Sequence, residues 1–179
     1  WVGPIVYASQ PGLWLCEGSL MELPDGTVAA VLRENSGEGF DAYKTLSKDG
    51  GLTWGPLHRM PIPACHRPVC GMLQSGKVLI TYRHMQGGKG WVGYWTQNSM
   101  VALTDVESML AQERREQWAR IMPLNFDRSP ASDTGYTGWV QFPDGEIYVV
   151  YYCLDDAPKG QIRGCSFHES DMVLPAPQA

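Results

Sequence analysis

The chain has 179 residues, of which 44% are hydrophobic and 18% charged, and its net charge is −5. That length suffices for one domain with a sizeable core. The charge speaks against a sequence-independent nucleic-acid binder, which needs a basic face. The sequence has no apolar run long enough to span a membrane as a helix. Twenty glycines, 13 prolines and 11% aromatics suit many short strands joined by turns. The chain opens at Trp1 with neither Met nor signal peptide, as in a mature product or a fragment.

In chain order, "GPIVYAS" (3–9) reads as an isolated strand, an outer strand for a neighbouring blade. The segment from Glu17 to Arg33, "EGSLMELPDGTVAAVLR", reads as a β-hairpin around Asp25-Gly26. "DAYKTLS" is a further strand, and "SKDGGLTW" (Ser47 to Trp54) is a glycine-rich turn. Arg67 to Arg83, "RPVCGMLQSGKVLITYR", is a second hairpin around Ser75-Gly76. In "GKGWVGYWT", Trp91, Tyr94 and Trp95 suit sugar stacking, although packing within a sheet is the plainer reading. "TDVESMLAQERREQWARI" predicts a helix over about 105–120, with Thr104 and Glu107 as a capping box and Val106, Met109 and Leu110 on its apolar face. Tyr136 to Tyr152, "YTGWVQFPDGEIYVVYY", is a third hairpin, around Asp144-Gly145. Asp155-Asp156 reads as a solvated turn rather than a calcium site. "GQIRGCSF" is a last strand, and the tail "MVLPAPQA" reads as loosely ordered.

The three hairpins superpose without gaps, their first residues 50 and 69 positions apart. Their second strands, "TVAAVL", "KVLITY" and "EIYVVY", are nearly continuously apolar, which predicts burial on both faces. Such hairpins fit the inner strands of propeller blades. The fold expected is all-β: residues 1–179 as a single partial propeller domain of about three four-stranded blades. The blade hairpins lie at 17–33, 67–83 and 136–152, and one helix is inserted near 105–120.

Hairpin geometry brings together residues equally distant from the turn. Eight positions before it stand Glu17, Arg67 and Tyr136; eight after stand Arg33, Arg83 and Tyr152. Neighbouring blades would gather all six at one mouth. Converging arginines recognise a carboxylate. A tyrosine beside a glutamate in a positive field can act as a nucleophile. The plainer reading of each residue alone is a polar strand-end cap.

Cysteines 16, 65, 70, 153 and 165 are odd in number and lack zinc spacing, so they read as small buried hydrophobes. The four histidines show no metal spacing either; His66 stands next to the mouth. No phosphate loop, dinucleotide fingerprint or nucleophilic serine motif occurs, so no cofactor or metal is expected.

With these motifs assembled, the chain resembles the sialidase (neuraminidase) superfamily of six-bladed β-propellers, nearest to bacterial sialidase-like proteins and to their C-terminal half. "SKDGGLTW" matches the Asp-box (BNR-repeat) pattern S-x-D-x-G-x-T-W, which falls on Ser47, Asp49, Gly51, Thr53 and Trp54 as a structural turn. "CEGSLMELPDGTVAAVLREN" resembles the segment bearing the glutamate that assists the nucleophile and an arginine of the carboxylate-binding triad, here Glu17 and Arg33. "DTGYTGWVQFPDGEIYVVYY" resembles the segment of the nucleophilic tyrosine, here Tyr136. The resemblance covers about residues 5–168. It implies an exo-acting, retaining glycoside hydrolase with a tyrosine nucleophile, acting on sialic acid or another acidic sugar. It also implies a secreted or periplasmic location.

The match departs from the family in three places. No segment carries the first triad arginine. Asp41 is the one stand-in for the acid/base aspartate. The third arginine falls on Arg83 by repeat position, with Arg67 and Arg163 behind it. Three blades do not close a ring, since a six-bladed one needs roughly 300 residues at about 40–50 per blade. The chain is therefore expected to be a fragment, or to pair with a second copy as a homodimer in which "GPIVYAS" finishes the partner's last blade. Two other functions fit the same residues: a non-catalytic carbohydrate-binding propeller, and a half-propeller assembly module with no sugar site.

Overall fold

The computed structural model describes residues 3–38, 41–86, 96–155 and 157–173. Among the described residues, eleven strands form three antiparallel sheets in succession. The first holds β1 (Leu15–Glu22), β2 (Val28–Glu34), β3 (Asp41–Ser47) and β4 (His58–Pro63). The second holds β5 (Cys65–Met72), β6 (Val78–Gln86), β7 (Thr96–Thr104) and β8 (Arg120–Phe126). The third holds β9 (Thr134–Gln141), β10 (Ile147–Cys153) and β11 (Gln161–Phe167) in the order β11-β10-β9. β5 lies against β1 and β2, and β9 against β5, β6 and β7, so each inner strand packs on the preceding sheet. These are consecutive blades of a partial propeller; the third blade shows three strands among the described residues rather than four.

The hairpin turns are one residue longer than the Asp-Gly and Ser-Gly signals suggest. Leu23 and Thr27 close a three-residue loop in which Gly26 N–H donates to the Leu23 carbonyl, and Leu73/Lys77 and Phe142/Glu146 repeat it. Gly26, Gly76 and Gly145 take φ of 82°, 82° and 90°, the left-handed corner that such loops require.

The continuous apolar runs have a direct cause in the middle blade. Val78, Ile80 and Tyr82 of β6 enter the core shared with the first sheet, whereas Leu79 enters the core shared with the third. All four are 0% exposed, and each such side chain contributes roughly 1.5–3 kcal/mol of burial. β10 departs from this expectation. Ile147, Val149 and Tyr151 are buried, but Tyr148 and Val150 are 41% and 42% exposed, because no further sheet among the described residues lies over them.

Two other segments differ from the sequence reading. The helix expected over 105–120 is only α1 (Val106–Leu110), followed by a 3-10 turn at Arg114–Glu116. Thr104 ends β7, donating its hydroxyl to the Trp118 carbonyl, so Asp105 is the N-cap instead. The chain then has to return as β8, which the charged helical periodicity does not reveal. "GPIVYAS" forms no strand. Its Tyr7 ring packs 5.5 Å from Trp54, and its hydroxyl occupies the space a Cβ on Gly18 would fill. Asp155 is buried rather than solvated, held by Arg128 at 2.7 Å and Arg163 at 2.5 Å. Trp91, Tyr94, Trp95, Asp156 and the end of the tail lie outside the described residues. Of the five free cysteines, Cys65 and Cys153 are buried and the other three half-buried.

The first two blades are also tied by a buried cation. Lys44 of β3 is 0% exposed and donates to the Ser108 carbonyl of α1 at 2.6 Å. Burial pulls its pKa down to about 7.

Candidate functional site

Each inner strand carries a bulge at the same place. The register slips between Cys16 and Ser19, between His66 and Val69, and opposite Val150 to Tyr152 in β9. The residue at each slip is left-handed: Glu17 at φ 43°, Arg67 at 52° and Tyr136 at 49°. A side chain with a Cβ costs about 1–2 kcal/mol there, a steric penalty that glycine escapes. At all three slips the bulge turns a large polar side chain out of the regular alternation of its strand.

The bulges bring Glu17, Arg67 and Tyr136 together with the strand-end residues Arg33, Arg83 and Tyr152. Tyr136, 51% exposed, donates its hydroxyl to Glu17 Oε1 at 3.2 Å. Arg33 Nη1 donates to the other oxygen, Oε2, at 2.5 Å, and its Nη2 to Asn35 Oδ1 at 2.5 Å. Burial opposes ionisation of Glu17, but the hydrogen bond and charge of Arg33, the bond from Tyr136 and the charge of Arg83 outweigh it. The carboxyl therefore ionises below its ordinary range.

The guanidiniums of Arg67 and Arg83 lie 5.6 and 5.7 Å from the centre of the Tyr136 ring. They differ in freedom. Arg83 is 7% exposed, and its Nη1 donates to Gln97 Oε1 at 3.2 Å and to the Tyr152 hydroxyl at 3.5 Å. It lies 3.9 Å from Asp133. Gly135, at φ 143°, presses close behind it: a Cβ there would stand 3.1 Å from the Arg83 stem. Arg67 is half-buried, and among the described residues its side chain makes no ion pair or hydrogen bond.

The two phenols also separate. Tyr152 donates a short hydrogen bond to Asp133. Burial, then the bond and charge of Asp133, push its pKa up to about 12 against the opposing pull of Arg83. Tyr152 keeps its proton, whereas Tyr136 points at a carboxylate. His66, beneath the mouth, is held neutral, its pKa lowered to about 3 by burial and then by Arg33 and Arg83.

The other sequence candidates are elsewhere. Asp41 is gripped by Arg114 at 2.7 Å and Arg59 at 3.0 Å. Arg163 is paired with Asp155. The Ser47–Trp54 turn joins β3 to β4 beside the Asp25-Gly26 end of its sheet, since Ser47 pairs with Val28 while Arg33 stands at the far end of β2. Asp49 accepts from Ser47 Oγ at 2.8 Å, Thr53 N at 2.8 Å and Thr53 Oγ1 at 2.6 Å. Trp54 Nε1 closes onto the Gly51 carbonyl at 3.0 Å. Sequence reasoning passed over Asp133 and Gln97. Asp133 is signalled only by its place in "SDTGY", and Gln97 by nothing local. No group of three or more metal-ligating side chains occurs among the described residues.

Solved structures share this fold. A protein of unknown function from Dyadobacter fermentans superposes with a TM-score of 0.69 at 24% identity, over 89% of this chain and 39% of its own. The intramolecular trans-sialidase of Ruminococcus gnavus, in complex with oseltamivir carboxylate, gives 0.59 at 17% identity, over 92% and 35%. The α-L-arabinofuranosidase Arb93A of Fusarium graminearum, in its E242A form with an iminosugar inhibitor, gives 0.62 at 11%, over 85% and 45%. The chain spans less than half the length of each. No protein-family model matches the chain, and no curated protein does.

Proposed function

We propose that this chain carries the nucleophile side of a retaining, exo-acting, sialidase-like glycosidase site for an acidic sugar, sialic acid being the first to test. The observation behind the proposal is the Tyr136–Glu17–Arg33 relay, in which a phenol donates to a carboxylate fixed from its other side. In the proposed step, Tyr136 Oη bonds to the anomeric carbon as the glycosidic C–O bond breaks and the aglycone oxygen leaves with its electron pair, while the phenol proton passes to Glu17 Oε1; water then displaces Tyr136, which takes its proton back from Glu17. A neutral phenol approaches a carbon bearing a carboxylate with less repulsion than an anionic nucleophile. Arg67 takes the sugar carboxylate, with Arg33 beside it. Arg83 and Tyr152 set the field and shape behind the Tyr136 ring. The Ser47–Trp54 turn serves as an Asp box, holding the outer hairpin. The trans-sialidase and arabinofuranosidase neighbours support a carbohydrate ligand. Completion of the ring by a second copy belongs to the same proposal.

With Asp41 gripped by two arginines and Asp133 already accepting from Tyr152, no carboxyl group free of such partners stands at the mouth among the described residues to protonate the leaving oxygen. The site should therefore cleave aryl glycosides, whose phenolate leaves unaided, far better than alkyl ones. The test is turnover of aryl sialosides, with aryl arabinofuranosides alongside, by the wild type and by Tyr136→Phe. Equal rates for the two proteins would reject the nucleophile. The grip on Asp41 also favours a second reading, a carbohydrate-binding propeller, which glycan binding with no turnover of any aryl glycoside would establish.

A further inference from the structure

We propose that Asp133 is a specificity-determining residue of this site, its open carboxylate oxygen accepting a hydrogen bond from a hydroxyl of the bound sugar. The proposal rests on the sugar-site reading above and names what that sugar must carry. Asp133 immediately precedes β9, three positions before Tyr136. Its side chain is 50% exposed. Oδ1 accepts the short hydrogen bond from Tyr152 and lies 3.9 Å from Arg83 Nη1. Oδ2 accepts nothing among the described residues. The Tyr152 ring in turn lies 5.9 Å from the Tyr136 ring, and the Arg83 guanidinium 5.7 Å from it. The open oxygen therefore stands at the rim of the same mouth, on the blade of the nucleophile. Glu17 differs, because Tyr136 and Arg33 take both its oxygens.

The loop beneath Asp133 is fastened for this task. Asp127 Oδ1 accepts from the backbone N–H of Ser129 at 2.9 Å and of Asp155 at 3.1 Å. Its Oδ2 accepts from the N–H of Asp133 at 2.9 Å and of Leu154 at 3.2 Å. The Leu154 N–H also reaches the Asp133 carbonyl, at 3.0 Å. Asp133 is thus held at its amide, its carbonyl and one carboxylate oxygen, which leaves the other oxygen fixed before a ligand arrives. An acceptor arranged in advance loses little freedom on binding. A carboxylate accepts and does not donate, so its partner is a hydroxyl. It also repels the sugar carboxylate, which the proposed function gives to Arg67. Anion to Arg67 and hydroxyl to Asp133 would fix which way round the sugar lies, and would select a hydroxylated acidic sugar.

Isothermal titration of the chain with methyl α-sialoside and its monodeoxy analogues tests the proposal, with methyl α-L-arabinofuranoside and its monodeoxy analogues alongside. The wild type should bind one deoxy analogue about tenfold or more weaker than its parent, the loss expected for a hydrogen bond to a charged group. Asp133→Asn keeps an oxygen for Tyr152 and replaces the open acceptor by a donor. It should weaken the parent by a similar factor and leave that one analogue unchanged, so that the two bind alike. A wild type indifferent to every missing hydroxyl overturns the proposal, and this result needs no variant to fold. Asp133→Asn that weakens parent and analogue equally, or neither, also overturns it. Binding that meets these terms without turnover of any aryl glycoside keeps Asp133 and sinks the Tyr136 chemistry alone. A wild type that binds neither parent sinks the sugar reading and Asp133 with it.

Discussion

The left-handed bulge residues allow strain and function to be separated at Arg67. Its φ is 52°, and its guanidinium carbon lies 5.6 Å from the centre of the Tyr136 ring. Arg67→Ala and Arg67→Gly remove the same cation and the same contact, so those losses cancel between them. What differs is the backbone. Alanine keeps a left-handed cost of about 1–2 kcal/mol, whereas glycine escapes it but gives up about 0.5–1 kcal/mol of unfolded-state entropy. The glycine variant should therefore be more stable than the alanine variant by up to about 1.5 kcal/mol, read from urea midpoints at equal m. Both should bind an acidic sugar equally poorly, by isothermal titration. A glycine variant less stable than the alanine one would refute the strain argument. Unchanged sugar affinity in both would refute Arg67 as the anion's partner.

Glu17→Gln should abolish aryl glycoside turnover. In the wild type the acid limb of activity should fall below the ordinary glutamate value of 4.5, since Arg33 and its neighbours lower the Glu17 pKa. For Lys44 the folded pKa lies near 7 against an ordinary 10.5. Below pH 7 both folded and unfolded chains hold the proton and the burial cost is complete. Between the two values only the unfolded chain binds it, so stability rises with pH, by up to about 1.4 kcal/mol per unit. Denaturation series across that range should show the rise in the wild type and lose it in Lys44→Met. Gly135→Ala should cost about 1–3 kcal/mol in thermal unfolding, because its Cβ would press on Arg83 in a backbone region that disfavours side chains. Asp49→Ala should lower the melting temperature and leave sugar binding intact, and the wild-type contribution of Asp49 should fade as the pH falls towards about 2.

The sequence by itself determined the three hairpins, because an eight-residue count from a turn fixes which side chains share a strand end. Repetition of the hairpin then brought Glu17, Arg33, Arg67, Arg83, Tyr136 and Tyr152 to one mouth. It also determined the two-sided burial of β2 and β6, whose runs lack the alternation of a surface sheet. The helix over 105–120 was misjudged because a charged, periodic segment reads the same whether or not the chain must turn back as β8. Asp155 was misread because its partners, Arg128 and Arg163, are remote or on another strand. Only the tertiary structure decided the roles within the mouth. Arg83 is engaged by Gln97 and Tyr152, Tyr136 donates a hydrogen bond to the Glu17 carboxylate, and burial followed by the bond to Asp133 raises the Tyr152 pKa. Those distinctions rest on bulges, burial and contacts between blades, which arise when separate stretches of chain pack together and leave no period in the sequence.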